Sequence, residues 1–104
     1  MTTNNQIMLS SSIDYQKGAV VSKEILKTPT GSITLFAFDE GQGLSEHSTP
    51  FEVLVQIIEG QGLITISGQE YKVLAGEAIH LPANNPHALK AEKKFKMLLT
   101  MLKL

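Results

Sequence analysis

Short apolar runs, separated by turns that contain glycine and proline, follow one another along the chain from residue 19 onward. The clearest run, residues 51–58, is rich in β-branched and aromatic side chains and lies between Pro50 and Gly60, which favours a buried strand over a helix. Further runs of strand length occupy residues 19–26, 32–39, 63–67, 70–74 and 78–81. Strands repeated at intervals of about 8 to 12 residues predict an all-β protein, built as a sandwich or a small antiparallel barrel.

The connections between these runs carry turn residues. Pro29 fixes φ and Gly31 permits positive φ in the turn at residues 28–31, and the sequence Ser67-Gly68-Gln69 predicts a hairpin. Residues 82–86, PANNP, predict a tight polar loop that ends immediately before His87.

The C-terminal segment, residues 91–104, is compatible with two structures. Positions 95, 98, 99 and 102 are apolar at helical spacing, whereas positions 95, 97, 99 and 101 are apolar at the alternation of a strand. The alanine, glutamate, lysine, methionine and leucine content of the segment favours a helix. The residues alone therefore leave helix and strand open.

The length and the net charge of the chain limit its domain organisation and the kinds of partner it can have. A chain of 104 residues is expected to form one domain, and a chain of this size buries roughly 65% of its unfolded surface. We assign the polar residues 1–18 to an N-terminal lead-in and residues 19–104 to the domain. Nine basic and ten acidic side chains give no reason to expect a nucleic acid or an anionic membrane as a partner.

Several classes of protein are disfavoured by what the sequence lacks. The absence of cysteine excludes disulfides, thiolate chemistry and cysteine-ligated zinc. The N-terminal sequence MTTNNQIMLSSS lacks the basic start and apolar middle of a secretion signal. No apolar run approaches the ~20 residues of a membrane-spanning helix. We therefore predict a cytoplasmic location.

Two histidine-bearing stretches resemble the paired motifs of the cupins, a family of small antiparallel β-barrels with a jelly-roll fold, also called RmlC-like. The first motif is matched at Gly41, His47, Pro50 and Gly60. Thr49 occupies the place of the second histidine of that motif, and Val53 occupies the place of its ligand glutamate. The first metal-binding motif is therefore degenerate.

The second motif is matched at Gly76, Pro82 and His87, and Asn84 stands where the family has a glycine. The resemblance covers about residues 19–102 and implies that the C-terminal segment is a strand that completes a sheet. That strand would be apolar on both faces, and small cupins are commonly homodimers. The resemblance therefore implies a domain-swapped or edge-paired homodimer in which a partner covers the apolar outer face.

The resemblance also implies a site near His47 and His87. In metal-binding cupins four side chains from neighbouring strands converge on one ion, and only these two remain at the expected places. Two imidazoles hold a divalent ion weakly, so a substitute ligand would come from Glu52, Gln56 or His80. The expected cofactor is one Zn, Ni, Mn or Fe ion, or none. The remaining expected pocket residues are Thr49, Val53, Val55 and Phe36.

The substitute ligands and Thr49 also have structural interpretations. Glu52 lies one residue before the motif position, and a shift of one residue on a regular strand turns a side chain to the opposite face. Gln56 shares the face of Glu52, and His80 can enter the pocket or pack on the outer sheet. Thr49 can line the pocket, but a turn residue that hydrogen-bonds the nearby backbone is favoured.

Two functions of different classes follow from the resemblance. The first is a protein that binds a small organic ligand, a weakly held divalent metal, or both, near His47 and His87. The alternative is a metal-dependent cupin enzyme of the dioxygenase, isomerase or decarboxylase type, which uses both histidines and a substitute ligand. Because one scaffold of this kind hosts many chemistries, no substrate is assigned and the enzyme question stays open.

Overall fold

The computed structural model describes residues 5–103, and regular structure in that range consists of β-strands only. In chain order the strands are β1 (Val20–Thr28), β2 (Gly31–Phe38), β3 (Gly43–His47), β4 (Glu52–Glu59), β5 (Gln61–Ile66), β6 (Gln69–Leu74), β7 (Ala78–Leu81), β8 (His87–Lys90) and β9 (Phe95–Leu102). Every strand pair is antiparallel, which confirms the predicted all-β antiparallel class. Over the described range, no helix could cross a membrane.

The strands form two sheets that pack face to face. One sheet has the order β1-β2-β9-β4-β7 and the other the order β3-β8-β5-β6. Between them lies the main core, in which the rings of Phe38 and Phe95 stack with centroids 4.6 Å apart. Val55, Ile64 and Met97 are fully buried in the same core. The two sheets therefore enclose the core as the two walls of a small barrel.

Strand β9 resolves the ambiguity of the C-terminal segment in favour of a strand. It pairs with β2 on one side and β4 on the other, so its backbone hydrogen-bonding groups have partners in two ladders. Phe95 and Met97 face the core and are fully buried. The helical propensity of the segment is outweighed by these tertiary contacts, since propensity is a weak preference that packing commonly overrides.

The outer face of the five-stranded sheet is covered in part by the N-terminal segment, residues 5–18, which we call the strap. Leu35 and Ala37 point away from the barrel core and are nevertheless fully buried. Leu9, Ile13 and Tyr15 of the strap pack against the cluster that contains them. The resemblance implied that a partner chain covers this face, and here the chain itself covers part of it. Residues 1–4 of the expected lead-in lie outside the described residues.

Polar contacts attach the strap to the sheet. The buried Lys96 ammonium donates to the Ser10 carbonyl at 2.5 Å and lies 3.7 Å from the Glu59 carboxylate. The Tyr15 hydroxyl donates to the same carboxylate at 2.6 Å. Burial raises the pKa of Tyr15, and Glu59 raises it further through the hydrogen bond and its charge. Because Lys96 is only 7% exposed, these partners satisfy a charge that would otherwise be buried alone.

The hairpin between β5 and β6 confirms the turn that the sequence predicts. Ser67 and Gly68 form a two-residue connection and both have positive φ, of 49° and 84°. Two consecutive residues with positive φ are typical of the type I′ turn, whose twist matches that of the flanking strands.

Candidate functional site

Two short strands, β3 and β8, bring His47 and His87 together. His47 is the last residue of β3 and His87 the first of β8, and the two are direct partners in the antiparallel ladder. The register between the strands is irregular between Leu44 and His47, so the end of β3 departs from strict alternation. Neither strand was predicted from the sequence, because each is short and β3 is largely exposed. Their pairing with each other positions the two imidazoles.

The imidazoles meet edge to face at a boundary between core and solvent. Their ring centroids are 4.4 Å apart with planes at 72°, and the two Nε2 atoms are 3.1 Å apart. His87 is 4% exposed, whereas His47 is exposed. The pair therefore has one buried member on the inner face of the barrel and one member that solvent reaches.

Backbone carbonyls fix the tautomer of both rings. The Nδ1 atom of His47 lies 2.7 Å from the Ser45 carbonyl, and the Nδ1 atom of His87 lies 3.2 Å from the Asn85 carbonyl. A carbonyl oxygen can only accept, so each Nδ1 carries a proton and donates it. In the neutral rings the two Nε2 atoms then face each other as bare acceptors. Two lone pairs at 3.1 Å repel unless a cation lies between them.

A shared proton and a divalent metal ion are the two cations that this geometry suits. Burial, and after it the charge of His47, lowers the pKa of His87, which disfavours the protonated ring. Two metal–nitrogen bonds of about 2.0–2.1 Å, at an angle of about 90–110°, place their nitrogens about 2.9–3.4 Å apart. The observed separation of 3.1 Å lies inside that interval. The two imidazoles therefore fit a metal ion that both would bind through Nε2.

The ladder partner of His87 and the residue at the place of the family's glutamate are both apolar. His87 is the cross-strand partner of Ile66, and Val53 lies in register with Leu81 and Met101. Val53 is 3% exposed, so the position that resembles the ligand glutamate does face the interior. Two further expected pocket residues lie in or against the same core, Val55 fully buried and Phe36 half-buried.

The candidate substitute ligands lie on the outer face of the sheet. Glu52 and His80 pair with each other there, with 2.5 Å between His80 Nε2 and the carboxylate. Gln56 is exposed and alternates with the buried Val55 along β4. Among residues 5–103, no three His, Cys, Asp or Glu side chains form a group that could hold a metal. The parity of β4 therefore keeps Glu52 apart from the histidine pair, because the strand is regular where it begins.

The sequence of the chain matches a known family over this region. Residues 34–102 match the family described as the cupin domain. The chain belongs to the cupin family. Two strands that carry the histidines, and the glycine and proline positions around them, fall within the matched residues.

Three known proteins are similar to this cupin in sequence. The conserved protein SPY1581 of unknown function from Streptococcus pyogenes is 32% identical, with a TM-score of 0.92 that covers 100% of this chain and 91% of that one. A cupin 2 conserved barrel domain protein from Leptotrichia buccalis is 38% identical, with a TM-score of 0.89 that covers 91% of this chain and 46% of that one. The uncharacterized protein MJ1618 of Methanocaldococcus jannaschii is 33% identical over 73 residues, 70% of this chain and 51% of that protein. The cupin described here thus spans about half the length of this curated relative.

Two departures from the cupin motifs have a structural explanation. Asn84 has a φ of 69°, which is the left-handed conformation that glycine adopts most easily and asparagine tolerates better than other residues. The backbone N–H of Asn84 donates to the Thr49 carbonyl at 2.7 Å, and this hydrogen bond connects the two motifs. The Thr49 hydroxyl accepts a hydrogen bond from the Phe51 amide at 3.3 Å, which is the turn contact favoured for this residue from the sequence. The carbonyls of Ser45 and Asn85 had no sequence signal, because every residue type offers one.

Proposed function

We propose that this cupin binds one divalent metal ion through His47 and His87, and that a small organic molecule with an oxygen donor completes the ligand set at the mouth of the barrel. The observation that carries the proposal is the 3.1 Å separation of two Nε2 atoms whose rings both direct Nδ1 at a backbone carbonyl. A site of this kind suits a first-row ion such as Zn, Ni, Mn or Fe, for which imidazole is a common ligand.

The residues around the pair have distinct roles in this proposal. The carbonyls of Ser45 and Asn85 orient the rings, as second-layer acceptors do in histidine metal sites. Burial, and after it the charge of His47, lowers the pKa of His87 and so favours the neutral ring, which is the form that binds a metal. A bound ion would supply Lewis acidity toward an oxygen donor of the ligand.

The class of ligand follows from the wall of the site. Val53, Leu81 and Met101 provide an apolar surface on the inner face, and no ionised side chain stands in the place of the family's glutamate. Positions around the ion that protein does not fill are open to water or to a carboxylate, carbonyl or hydroxyl oxygen. We therefore propose a small, partly apolar molecule with such an oxygen, rather than a highly charged one.

Binding has more support than catalysis in this proposal. A firmly held catalytic ion generally has three protein ligands, whereas the described residues group no third histidine or carboxylate with the pair. The alternative of a metal-dependent enzyme has no specific observation in its favour.

The proposal is tested by titrating the purified, chelator-treated protein with Ni²⁺ and Zn²⁺ in a calorimeter. The matched variants are His47→Ala, His87→Ala and His80→Ala, which together cover the three histidines of the chain. We expect one ion per chain in the wild type and in His80→Ala, and a loss of at least about tenfold in affinity in the other two variants. Binding that persists unchanged without His47 or His87, or that depends on His80, contradicts the proposal. Absence of binding at millimolar ion also contradicts the proposal.

A further inference from the structure

A cleft opens along one side of the barrel, between the edges of the two sheets. Strand β6 is an edge of the four-stranded sheet and β7 an edge of the five-stranded sheet, and among the described strands these two do not pair with each other. The turn at residues 75–77 connects them and closes one end of the gap. The gap has a volume of about 520 Å³, and we call it the side cleft. Its walls include Ile66, Tyr71 and Val73 on one side and Ile79 and His80 on the other.

The apolar side chains of the side cleft belong to the inner faces of the sheets. Tyr71 is the cross-strand partner of the fully buried Ile64, and Ile79 is the partner of the fully buried Val55. Residues directly opposite each other on paired strands share a face, so Tyr71 and Ile79 both point between the sheets. Tyr71 is nevertheless 39% exposed. Its ring is therefore part of the wall of the cleft rather than of the packed core.

The inner end of the side cleft reaches the histidine pair. Ile66 is the ladder partner of His87 on one side, and on the other side Tyr71 is its diagonal neighbour, two positions from the direct partner Gln69. Diagonal neighbours of this kind lie about 7–8 Å apart, within reach of an aromatic side chain. Tyr71, Ile66 and His87 thus follow one another on the inner face across three strands. A molecule in the cleft would extend toward the histidines.

Two groups at the side cleft lack a partner within residues 5–103. Tyr71 makes neither a hydrogen bond nor a ring contact there, and the exposed Lys72 ammonium forms no ion pair. The other ionisable groups of the cleft are engaged, since the Glu77 carboxylate accepts a hydrogen bond from a backbone N–H of β6 at 2.8 Å and His80 lies 2.5 Å from Glu52. The cleft therefore offers a ligand one aromatic ring and one cation.

We propose that the side cleft binds a flat aromatic carboxylate. Packed sheets lie about 10 Å apart, so a molecule held between side chains of both edges is flat. Its ring packs against the Tyr71 ring, as aromatic pairs do in offset or edge-to-face contact, and against Ile79. Its carboxylate stays at the solvent-exposed rim beside the Lys72 ammonium. This binding does not depend on the proposed metal ion.

The test uses 2-naphthoate as the probe and chelator-treated, ¹⁵N-labelled protein, so a failure of metal binding has no influence on the result. Calorimetry should give a dissociation constant of about 1 mM or tighter, a modest affinity for a ligand of this size. Amide shifts should change at Ile66, Tyr71 and Ile79, and nuclear Overhauser contacts should join the probe to the Ile79 methyl groups. Both spectra are recorded on the wild type and so do not require that any variant folds.

Variants separate the contribution of the ring from that of the charge. Tyr71→Ala should weaken naphthoate binding by about fivefold or more, whereas Tyr71→Phe, which keeps the ring, should change it by less than about twofold. Lys72→Gln should weaken binding by about threefold at low salt and by less at high salt. The control is Lys90→Gln, because Lys90 lies opposite Leu63 on the other side of the same ladder row as Lys72 and is exposed. It should leave binding unchanged.

Four results would overturn the proposal. They are no binding at about 10 mM probe, equal affinity in Tyr71→Ala and the wild type, equal binding of the saturated analogue decahydro-2-naphthoate, and shifts centred on Leu54 and Leu102. The last result would place the probe in the depression on the outer face of the five-stranded sheet. Equal affinity in Lys72→Gln and Lys90→Gln would contradict the assignment of the carboxylate to the rim.

Discussion

Val53→Glu is the substitution that most directly tests how this barrel relates to metal-binding cupins. Val53 occupies the place of the family's ligand glutamate, faces the interior from β4 and is 3% exposed. The substitution would return a carboxylate to the inner face, at the place where the family has its ligand glutamate, without a change of strand parity. It should therefore create a third ligand for an ion held by His47 and His87.

Without metal, the variant should be less stable than the wild type. It replaces a buried apolar side chain with a carboxylate that has no partner among the neighbouring Leu81 and Met101. Burial of an unpaired carboxylate lowers the free energy of unfolding by roughly 2–4 kcal/mol. Burial disfavours the ionised carboxylate, so the variant should lose stability as the pH rises and the unfolded chain releases the proton that the folded chain retains.

With metal, the difference in stability between the variant and the wild type should largely close. An ion that binds only the folded state stabilises it by about 2.7 kcal/mol at a free concentration of 100 times the dissociation constant. A third ligand that tightens binding by about a hundredfold adds a stabilisation of this size, which corresponds to roughly 10–20 °C in melting temperature for a chain of about 100 residues. The assay is thermal unfolding by circular dichroism, in chelator and in excess Ni²⁺ or Zn²⁺.

The matched control is Leu54→Glu, which places a carboxylate on the outer face one residue away. The metal-dependent rise in melting temperature should be larger in Val53→Glu than in the wild type or the control. It should disappear in the double variant with His87→Ala. Equal rises in Val53→Glu and Leu54→Glu would refute the assignment of position 53 to the metal site.

Three further predictions concern the backbone and the pH dependence of stability. Gly60 has a φ of 78°, and an added Cβ would lie 2.6 Å from the Lys94 carbonyl oxygen. Chemical denaturation should therefore show that Gly60→Ala lowers the free energy of unfolding by about 2 kcal/mol or more. The control Gly68→Ala, where an added Cβ meets open space, should lower it by about 1 kcal/mol. Asn84→Gly should leave stability almost unchanged, whereas Asn84→Val should cost about 1–2 kcal/mol because a β-branched residue disfavours positive φ. Burial, followed by the charge of the neighbouring histidine, holds the pKa of His87 below its ordinary value of 6.5. As the pH falls below that value the unfolded chain takes up this proton first, so metal-free stability should fall, and His87→Gln should flatten the decline.

The parts of the fold that sequence reasoning predicted are those that local chemistry determines. Strand β4 is rich in β-branched residues and lies between Pro50 and Gly60, which favours a strand. The sequence Ser67-Gly68 favours the tight turn of the hairpin between β5 and β6. Strand β9 could not be predicted from its residues alone, because the choice between helix and strand depends on partners in β2 and β4 that are distant in the sequence. The resemblance to the cupins supplied that information.

The parts that were missed depend on non-local contacts. The short strands β3 and β8 have little periodicity and exist through their pairing with each other and of β8 with β5. The packing of the strap on the outer face could not be read from the isolated apolar residues Leu9 and Ile13 in a polar segment. In the site, motif spacing identified both histidines, but their backbone acceptors have no sequence signature. Glu52 was the favoured substitute ligand in the sequence, but it pairs with His80 on the outer face, which agrees with the parity of a regular strand.

The degenerate motif combines two sets of positions that need not change together. Gly60 adopts left-handed backbone in the connection between β4 and β5, and Asn84 does so in the loop before His87. The backbone amide of Asn84 also connects the second motif to the Thr49 carbonyl of the first. These positions keep the barrel and its mouth, whereas Thr49 and Val53 determine how many ligands enter that mouth. Because asparagine still adopts the left-handed conformation at position 84, the two histidines stay together even though positions 49 and 53 offer no ligand. The number of ligands, rather than the fold, therefore governs how firmly such a barrel can hold an ion.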